Sequence, residues 1–149
     1  MSDTGVMSSV DTVRDIWCDK GLDGHLGIQC DHVGDGEAQL SMEVRHEHLN
    51  LFNSGHGGAL FAIADSAFAL ACNTRGHVNV ASGCSIEFLR PAMFGDKLVA
   101  VAKWVDTNGR SSIYTVTISN DKDEIVAIFT GRSHQTSKLV SEFLGGEIV

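Results

Sequence analysis

Residues 48–73, HLNLFNSGHGGALFAIADSAFALACN, constrain the fold of this chain more than any other segment. After Gly57 nearly every residue is apolar or small, and the recurring alanines favour a helix. A helix that is apolar all round must be buried on most of its faces. In a chain of 149 residues this predicts one long central helix, from Gly57 to about residue 74 and ended by Gly76, wrapped by a sheet.

The sequence on both sides of this helix predicts strands. Residues 37–44 alternate apolar with polar side chains, as a half-buried strand does, and an earlier strand is expected around residues 26–32. After the helix, turn signals separate four strands and predict a four-strand antiparallel meander. These signals are Gly95-Asp96, Asn108-Gly109 and residues 120–123. The predicted fold class is therefore α+β, a curved antiparallel sheet around a long central helix.

No internal repeat or linker divides the chain, so residues 1–149 are predicted to form a single domain. Apolar side chains at three- and four-residue spacing predict an amphipathic helical segment within residues 1–20. Residues 138–149 carry weak signals of regular structure, and we expect them to form a peripheral tail.

The charge and the cysteine content argue against several kinds of binding partner and site. A formal net charge of −8 argues against broad binding of nucleic acid or anionic membranes, because both need basic surface. The four cysteines form no C-x-x-C pair, so neither a disulfide framework nor a zinc site is expected. The longest apolar run is shorter than the roughly 20 residues that span a bilayer, and no secretory signal is apparent. These features together predict a cytoplasmic protein.

A single charge, Asp65, interrupts the apolar helix. A buried carboxylate is costly unless it is paired or used. His56 and Gly57 stand where the helix begins, so the Gly57 N–H is an unpaired donor that suits an oxygen developing negative charge. A donor and a carboxylate are a minimal set for acyl transfer, since one polarises a carbonyl and the other attacks it or activates water.

The spacing of these two groups adds a constraint. Asp65 follows Gly57 by eight residues, so they lie roughly 12 Å apart along one helix. A carbonyl carbon must lie about 3–3.5 Å from its attacker, and an aspartate is too short to close the gap. If both groups serve one substrate, they come from different subunits, as in a two-fold dimer with antiparallel central helices. The alternative is an Asp65 that is merely exposed or structurally paired.

Other candidate sites have weaker support. His46 and His48 are spaced as metal ligands could be, but a third ligand is missing, and we expect two solvated side chains. His134 is expected at the surface or at an interface. A Ser-His-Asp triad has no support, because the chain lacks a Gly-x-Ser-x-Gly elbow. No metal and no cofactor is predicted.

A set of short motifs is spread along the chain. They are Leu49-Asn50, HGG at 56–58, Ala64-Asp65 six residues later, ASGCSIEFLRPA at 81–92 and VAIFTGRSH at 126–134. In this combination the chain resembles the hotdog-fold acyl-CoA thioesterases of the phenylacetic acid degradation (PaaI) type, over residues 21–134. The resemblance implies a hotdog fold, assembled as a dimer of dimers with sites between subunits.

The resemblance also implies roles for single residues. Asp65 matches the catalytic carboxylate, acting as nucleophile or general base, and the Gly57 N–H matches the donor that polarises the thioester carbonyl. Asn50 matches a position that contacts the thioester or the attacking water, and His56 one that shapes or assists the pocket. Further substrate contacts are expected from Gly58, Arg90 and Arg132. The CoA phosphates need cations, and the candidates for binding them are Arg90, Lys97, Arg110 and Arg132. Many relatives have glycine where this chain has Asn53, which also tolerates a left-handed backbone.

The activity implied is hydrolysis of an acyl-CoA to a free acid and CoA, with phenylacetyl-CoA or a related hydroxylated aryl-CoA favoured. CoA is then part of the substrate, and no cofactor is needed. Three other functions fit the same sequence: a medium- or long-chain fatty acyl-CoA thioesterase, a hotdog acyl-CoA hydratase, and a non-catalytic acyl-CoA-binding protein. The last would be expected to lack the carboxylate of Asp65.

Overall fold

The computed structural model describes residues 8–17 and 21–143. Two short helices, Ser9–Ile16 (α1) and Gly21–Leu26 (α2), precede the strands Gln29–Gly34 (β1) and Glu37–Glu43 (β2). The long helix Gly57–Cys72 (α3) follows. The remaining strands are His77–Phe88 (β3), Lys97–Asn108 (β4), Ser111–Ser119 (β5) and Ile125–Leu139 (β6). Short 3₁₀ turns cover His46–His48 and Val140–Phe143.

Helix α3 lies against the sheet and contacts all six strands, which requires the sheet to curve around it. Its side chains Ile63, Ala64 and Ala67 are fully buried, and Phe68 is 1% exposed. The ring of Phe68 packs so closely on Gly131 of β6 that a Cβ there would lie 2.9 Å from it. The predicted α+β architecture of a sheet around a central helix is therefore confirmed.

The strand order is β1-β2-β4-β5-β6-β3, and every pairing is antiparallel. Strands β4, β5 and β6 form the expected meander. The prediction of a four-strand meander is wrong for β3, which pairs with β6, for example through Ser85 and Thr130. Residues 89–96 join β3 to β4 and are too many for a tight hairpin. They carry the chain away from β3, so that β4 pairs with β2 instead.

The start of the chain differs from the prediction in one element. The strand expected over residues 26–32 begins only at residue 29, because α2 occupies Gly21–Leu26. Gly27 then adopts φ +73°, a left-handed conformation that ends the helix and turns the chain into β1. Helix α1 lies within the predicted helical segment, with Ser8 as its cap. Residues 1–7 and 18–20 of that segment lie outside the described part.

The predicted peripheral tail is wrong for its first residues. Lys138 and Leu139 complete β6, and Val140 is only 4% exposed. The Val140 N–H donates to the carbonyl of Gly76 at 2.8 Å, and the 3₁₀ turn that it begins contacts α1. Residues 144–149 lie outside the described part.

Cys30, Cys72 and Cys84 carry free thiols. No described helix is long and apolar enough to cross a membrane.

Candidate active site

The first turn of α3 leaves one backbone donor free. His56 caps the helix, and its Nδ1 accepts the N–H of Gly58 at 2.8 Å. The carbonyl of His56 accepts the N–H groups of Ala59 and Leu60 at 2.9 and 3.2 Å. Across residues 8–17 and 21–143, no acceptor meets the N–H of Gly57. This donor, at the positive end of the helix dipole, is available to a ligand oxygen.

Gly57 borders a cavity of about 410 Å³ between the start of α3 and the end of β3. The cavity brings together three of the residues that the sequence predicted for the site, Asn50, Gly57 and Arg90. Apolar surface comes from Leu60 and Phe88. A free donor beside apolar walls, with an arginine on the lining, suits an acyl carbonyl attached to an anionic carrier.

The absence of a side chain at Gly57 keeps this donor accessible. A Cβ built on Gly57 would lie 3.1 Å from Cζ of Phe88, so the aromatic ring comes close to the helix backbone. Phe88 is 54% exposed in the single chain. Its ring therefore forms one wall of the space in front of the Gly57 N–H.

Asn50 holds the loop that precedes α3. Its Oδ1 accepts the N–H groups of Phe52 and Ser54 at 2.9 and 3.2 Å. Within this loop Asn53 has φ +59°, the left-handed conformation that glycine would adopt without strain and that asparagine tolerates. The loop shape expected for a glycine is therefore kept with asparagine. The contact of Asn50 with a substrate or a water stays a prediction.

Asp65 lies on the same helix but on no wall of the Gly57 cavity. Its side chain is half-buried, and no described cation forms an ion pair with it. Burial raises the pKa of its carboxyl, and the nearby carboxylate of Asp23 raises it further. Asp65 is thus neither a solvated surface charge nor half of a structural ion pair in the described part of the chain.

One chain does not bring the donor and the carboxylate together. Both lie in the helix Gly57–Cys72, and eight residues of helix separate them by roughly 12 Å. The Gly58 N–H is engaged by His56, so that donor is not available to a substrate. A complete site of the expected kind needs a second subunit.

The four candidate cations are dispersed. Arg90 lines the cavity, where its Nη1 donates to the carbonyl of Ile125 at 2.8 Å. Arg132 lies on β6, and its Nε donates to Oγ of Ser82 at 3.0 Å. Lys97 borders a separate polar cavity of about 370 Å³. Arg110 is exposed beside the β4–β5 turn. Of these four cations, the structure therefore places only Arg90 next to the free donor.

His48 corrects an expectation. The sequence predicts a solvated side chain, as at His46, but His48 is only 2% exposed because residues 46–48 form a 3₁₀ turn that folds it inward. Its Nδ1 accepts the N–H of Arg45 at 3.0 Å, and its carbonyl accepts the N–H of His56 at 2.7 Å. Burial lowers the pKa of His48. No cluster of metal-ligating side chains occurs among the described residues.

Comparison of the sequence with known proteins identifies its family. The Thioesterase superfamily model matches residues 52–127. The chain is 43% identical over 110 residues to acyl-coenzyme A thioesterase PaaI of Escherichia coli K12, covering 74% of this chain and 79% of that protein. It is 36% identical over 104 residues to a putative esterase of Archaeoglobus fulgidus, covering 70% and 68% of the two chains.

Solved structures agree with the sequence relatives. The E. coli PaaI protein from the phenylacetic acid degradation operon superposes with a TM-score of 0.83 at 36% identity, over 88% of this chain and 95% of that one. The TT0310 protein of Thermus thermophilus gives a TM-score of 0.73 at 42% identity, over 76% and 95% of the chains. The chain therefore has the hotdog fold and belongs to the Thioesterase superfamily.

Proposed function

We propose that this protein hydrolyses the thioester of an acyl-coenzyme A to a carboxylic acid and free CoA. The observation that carries the proposal is the free N–H of Gly57, which starts a buried helix and borders an apolar cavity with Arg90 on its lining. The half-buried Asp65 of raised pKa supplies the second group that acyl transfer needs. The E. coli relative named as an acyl-coenzyme A thioesterase supports the same activity.

In the proposed reaction the thioester oxygen accepts the Gly57 N–H, which stabilises the negative charge that develops on it. Asp65 of the other subunit then acts in one of two ways. It attacks the carbonyl carbon, the C–S bond breaks, CoA leaves as a thiolate, and water cleaves the resulting anhydride. Alternatively, it takes a proton from water, whose oxygen attacks the carbonyl carbon directly; the C–S bond then breaks, and the departing CoA thiolate takes up the proton. Both routes consume one water and yield one acid and one thiol.

The proposed second subunit has a suitable surface. Strand β3 lies at the edge of the sheet, pairs with β6 on one side, and has no buried side chain in the described chain. An unpaired strand edge is a template for another strand. We propose that two copies pair through β3 about a two-fold axis, which brings α3 of each next to the other, and that two such dimers form a tetramer. Light scattering of the purified protein tests this, and a monomer at working concentration would contradict it.

The proposed acyl group is aromatic. Leu60 and the aromatic ring of Phe88 give the cavity apolar lining beside the donor, and the E. coli structure is of a protein from the phenylacetic acid degradation operon. Phenylacetyl-CoA or a hydroxylated relative is therefore the favoured substrate. A fatty acyl-CoA is the second candidate, because Leu51 and Phe52 beside Asn50 are 96% and 87% exposed and offer further apolar surface.

Release of free thiol, followed with Ellman's reagent, tests the function on a panel of phenylacetyl-, hydroxyphenylacetyl-, benzoyl- and fatty acyl-CoA. We expect the highest kcat/KM for a phenylacetyl or hydroxyphenylacetyl thioester. A preference for long aliphatic chains would replace the aryl assignment, and no thiol release from any substrate would overturn the function. Enoyl-CoA absorbance tests the hydratase alternative in the same samples.

We propose that turnover needs no metal or organic cofactor, so that dialysis against EDTA leaves kcat unchanged. We also propose a cytoplasmic location, in keeping with the free thiols of Cys30, Cys72 and Cys84.

A further inference from the structure

Helix α2 places a second carboxylate beside Asp65. Oδ1 of Asp23 accepts the hydroxyl of Ser66 at 2.6 Å, and Oδ2 accepts the indole N–H of Trp17 at 3.2 Å. Ser66 directly follows Asp65 on α3. Two donors from different segments therefore hold the Asp23 carboxylate in one orientation, next to the residue to which the proposed function assigns the chemistry.

We propose that Asp23 is a positioning residue: through Ser66 it ties α2 to the middle of α3, and it sets the electrostatic surroundings in which Asp65 acts. The inference rests on the proposed function of Asp65. It assigns a role to α2, which lies before the sheet and contributes nothing to the Gly57 cavity.

The groups that face Asp65 explain why Asp23 matters. From α2 comes the carboxylate of Asp23, and from α3 and β3 come the thiols of Cys72 and Cys84. Burial above all, with a contribution from Asp65, raises the pKa of both thiols, so they add no charge near neutral pH. In the described chain Asp23 is therefore the charged neighbour of Asp65, and it has the same sign.

A neighbouring negative charge disfavours ionisation of Asp65. Burial raises the pKa of Asp65 first, and Asp23 adds to that effect. A carboxylate with a higher pKa accepts a proton more readily, which makes it a better general base near neutral pH. Asp23 thus increases the basicity of Asp65. Its hydrogen bond to Ser66 also holds α2 against α3, the helix that carries Asp65.

The test compares the pH dependence of kcat/KM for Asp23→Asn and Asp31→Asn. Asparagine at position 23 keeps Oδ1 as an acceptor for Ser66, loses the acceptor for the Trp17 indole N–H and removes the charge. We expect the acid limb to move to lower pH, with a fall in plateau kcat of about threefold to tenfold because Asp65 becomes a weaker base. Asp31→Asn is the matched control, since Asp31 accepts a serine hydroxyl, that of Ser41, at 3.1 Å on β1. We expect its midpoint to equal that of the wild type.

An Asp23→Asn midpoint equal to that of Asp31→Asn overturns the inference and leaves the proposed function intact. Full turnover in Asp65→Asn would instead overturn the proposed function, so the two failures are distinguishable. If Asp23→Asn does not fold, Ser66→Ala replaces it, because loss of the 2.6 Å bond unties the Asp23 carboxylate from α3 and leaves it held by Trp17 alone. A ¹³C titration of the Asp65 carboxyl in that variant should then show a lower midpoint than in the wild type, and an unchanged midpoint contradicts the inference.

Discussion

Nδ1 of His56 accepts the N–H of Gly58 at 2.8 Å, and this bond separates the roles of two adjacent glycines. The donor of Gly58 is used to cap α3. The donor of Gly57 has no acceptor in the described structure and borders the cavity. The motif HGG therefore combines a helix cap at His56 with a backbone donor at Gly57 that has no acceptor in the described residues and lies beside a cavity.

Replacing Gly57 by proline should remove the donor and leave the helix. Proline is favoured at the first helical position, and His56, at φ −62° and ψ 133°, has a backbone compatible with a following proline. We expect kcat to fall about 100- to 1000-fold, the usual cost of losing one oxyanion donor. Thiol release measures kcat, and circular dichroism checks the helix.

Gly57→Ala is the matched control for the proline variant. It adds a Cβ at the same place, 3.1 Å from Phe88 Cζ, but keeps the N–H. We expect the alanine variant to retain far more turnover than the proline variant. Equal losses in both would show that crowding at Phe88, rather than loss of the donor, explains the effect.

Asp65→Asn should inactivate the protein and stabilise it. The pKa of Asp65 is raised by burial and then by Asp23, so the folded state holds this proton more tightly than the unfolded state does. The associated stability is present below the unfolded pKa of about 3.9 and is lost as pH rises through the folded pKa. We expect Tm at neutral pH to exceed that of the wild type, with the difference vanishing near pH 4, and kcat to fall by about 100-fold or more.

Calorimetry at equal protein concentration measures this stability difference. Asp121→Asn removes the same charge from an exposed turn and should leave Tm and kcat unchanged. Normal turnover in Asp65→Asn would remove the basis of the proposed chemistry. A lower Tm at neutral pH would show that the Asp65 carboxylate stabilises the fold.

His48→Asn should make stability less sensitive to acid. Burial lowers the pKa of His48, so below about pH 6.5 the unfolded state binds a proton that the folded state resists. Stability present at neutral pH is therefore lost as pH falls from about 6.5 towards the folded pKa. Asparagine can accept the Arg45 N–H in place of Nδ1 and does not titrate.

The measurement is the slope of Tm against pH between about 7.5 and 5, where we expect a flatter line for His48→Asn than for the wild type. His46→Asn, at an exposed ring stacked on Phe94, is the control and should keep the wild-type slope. A His48→Asn slope as steep as that of the wild type would show that other groups cause the acid sensitivity.

Local signals made much of the fold predictable. Helix α3 followed from its composition and its flanking glycines, and β4, β5 and β6 followed from the turn residues that separate them. The place of β3 did not follow, because its pairing with β6 is decided by a long-range crossover through residues 89–96. The burial of His48 was also missed, since a 3₁₀ turn of three residues has no periodicity to read.

The candidate site was also only partly predictable from the sequence. Asn50, Gly57 and Arg90, for which the family resemblance implies contacts with the substrate, border one cavity, and their roles there stay predictions. Asp23 gave no signal in the sequence, because it reaches Ser66 only through the packing of α2 on α3. Arg132 was grouped with Arg90 by its charge, but β6 carries it to Ser82 instead.

The most direct test of the shared site is complementation between two inactive variants. Asp65→Asn and Gly57→Pro are co-expressed with different affinity tags, and the mixed oligomer is purified through both. A dimer containing one chain of each has one site with both groups intact, so a randomly assorted mixture before purification should recover about one quarter of wild-type activity. We predict clear thiol release from the mixed oligomer and almost none from either variant alone. A mixed oligomer as inactive as its parents would contradict a site built from Gly57 of one subunit and Asp65 of the other.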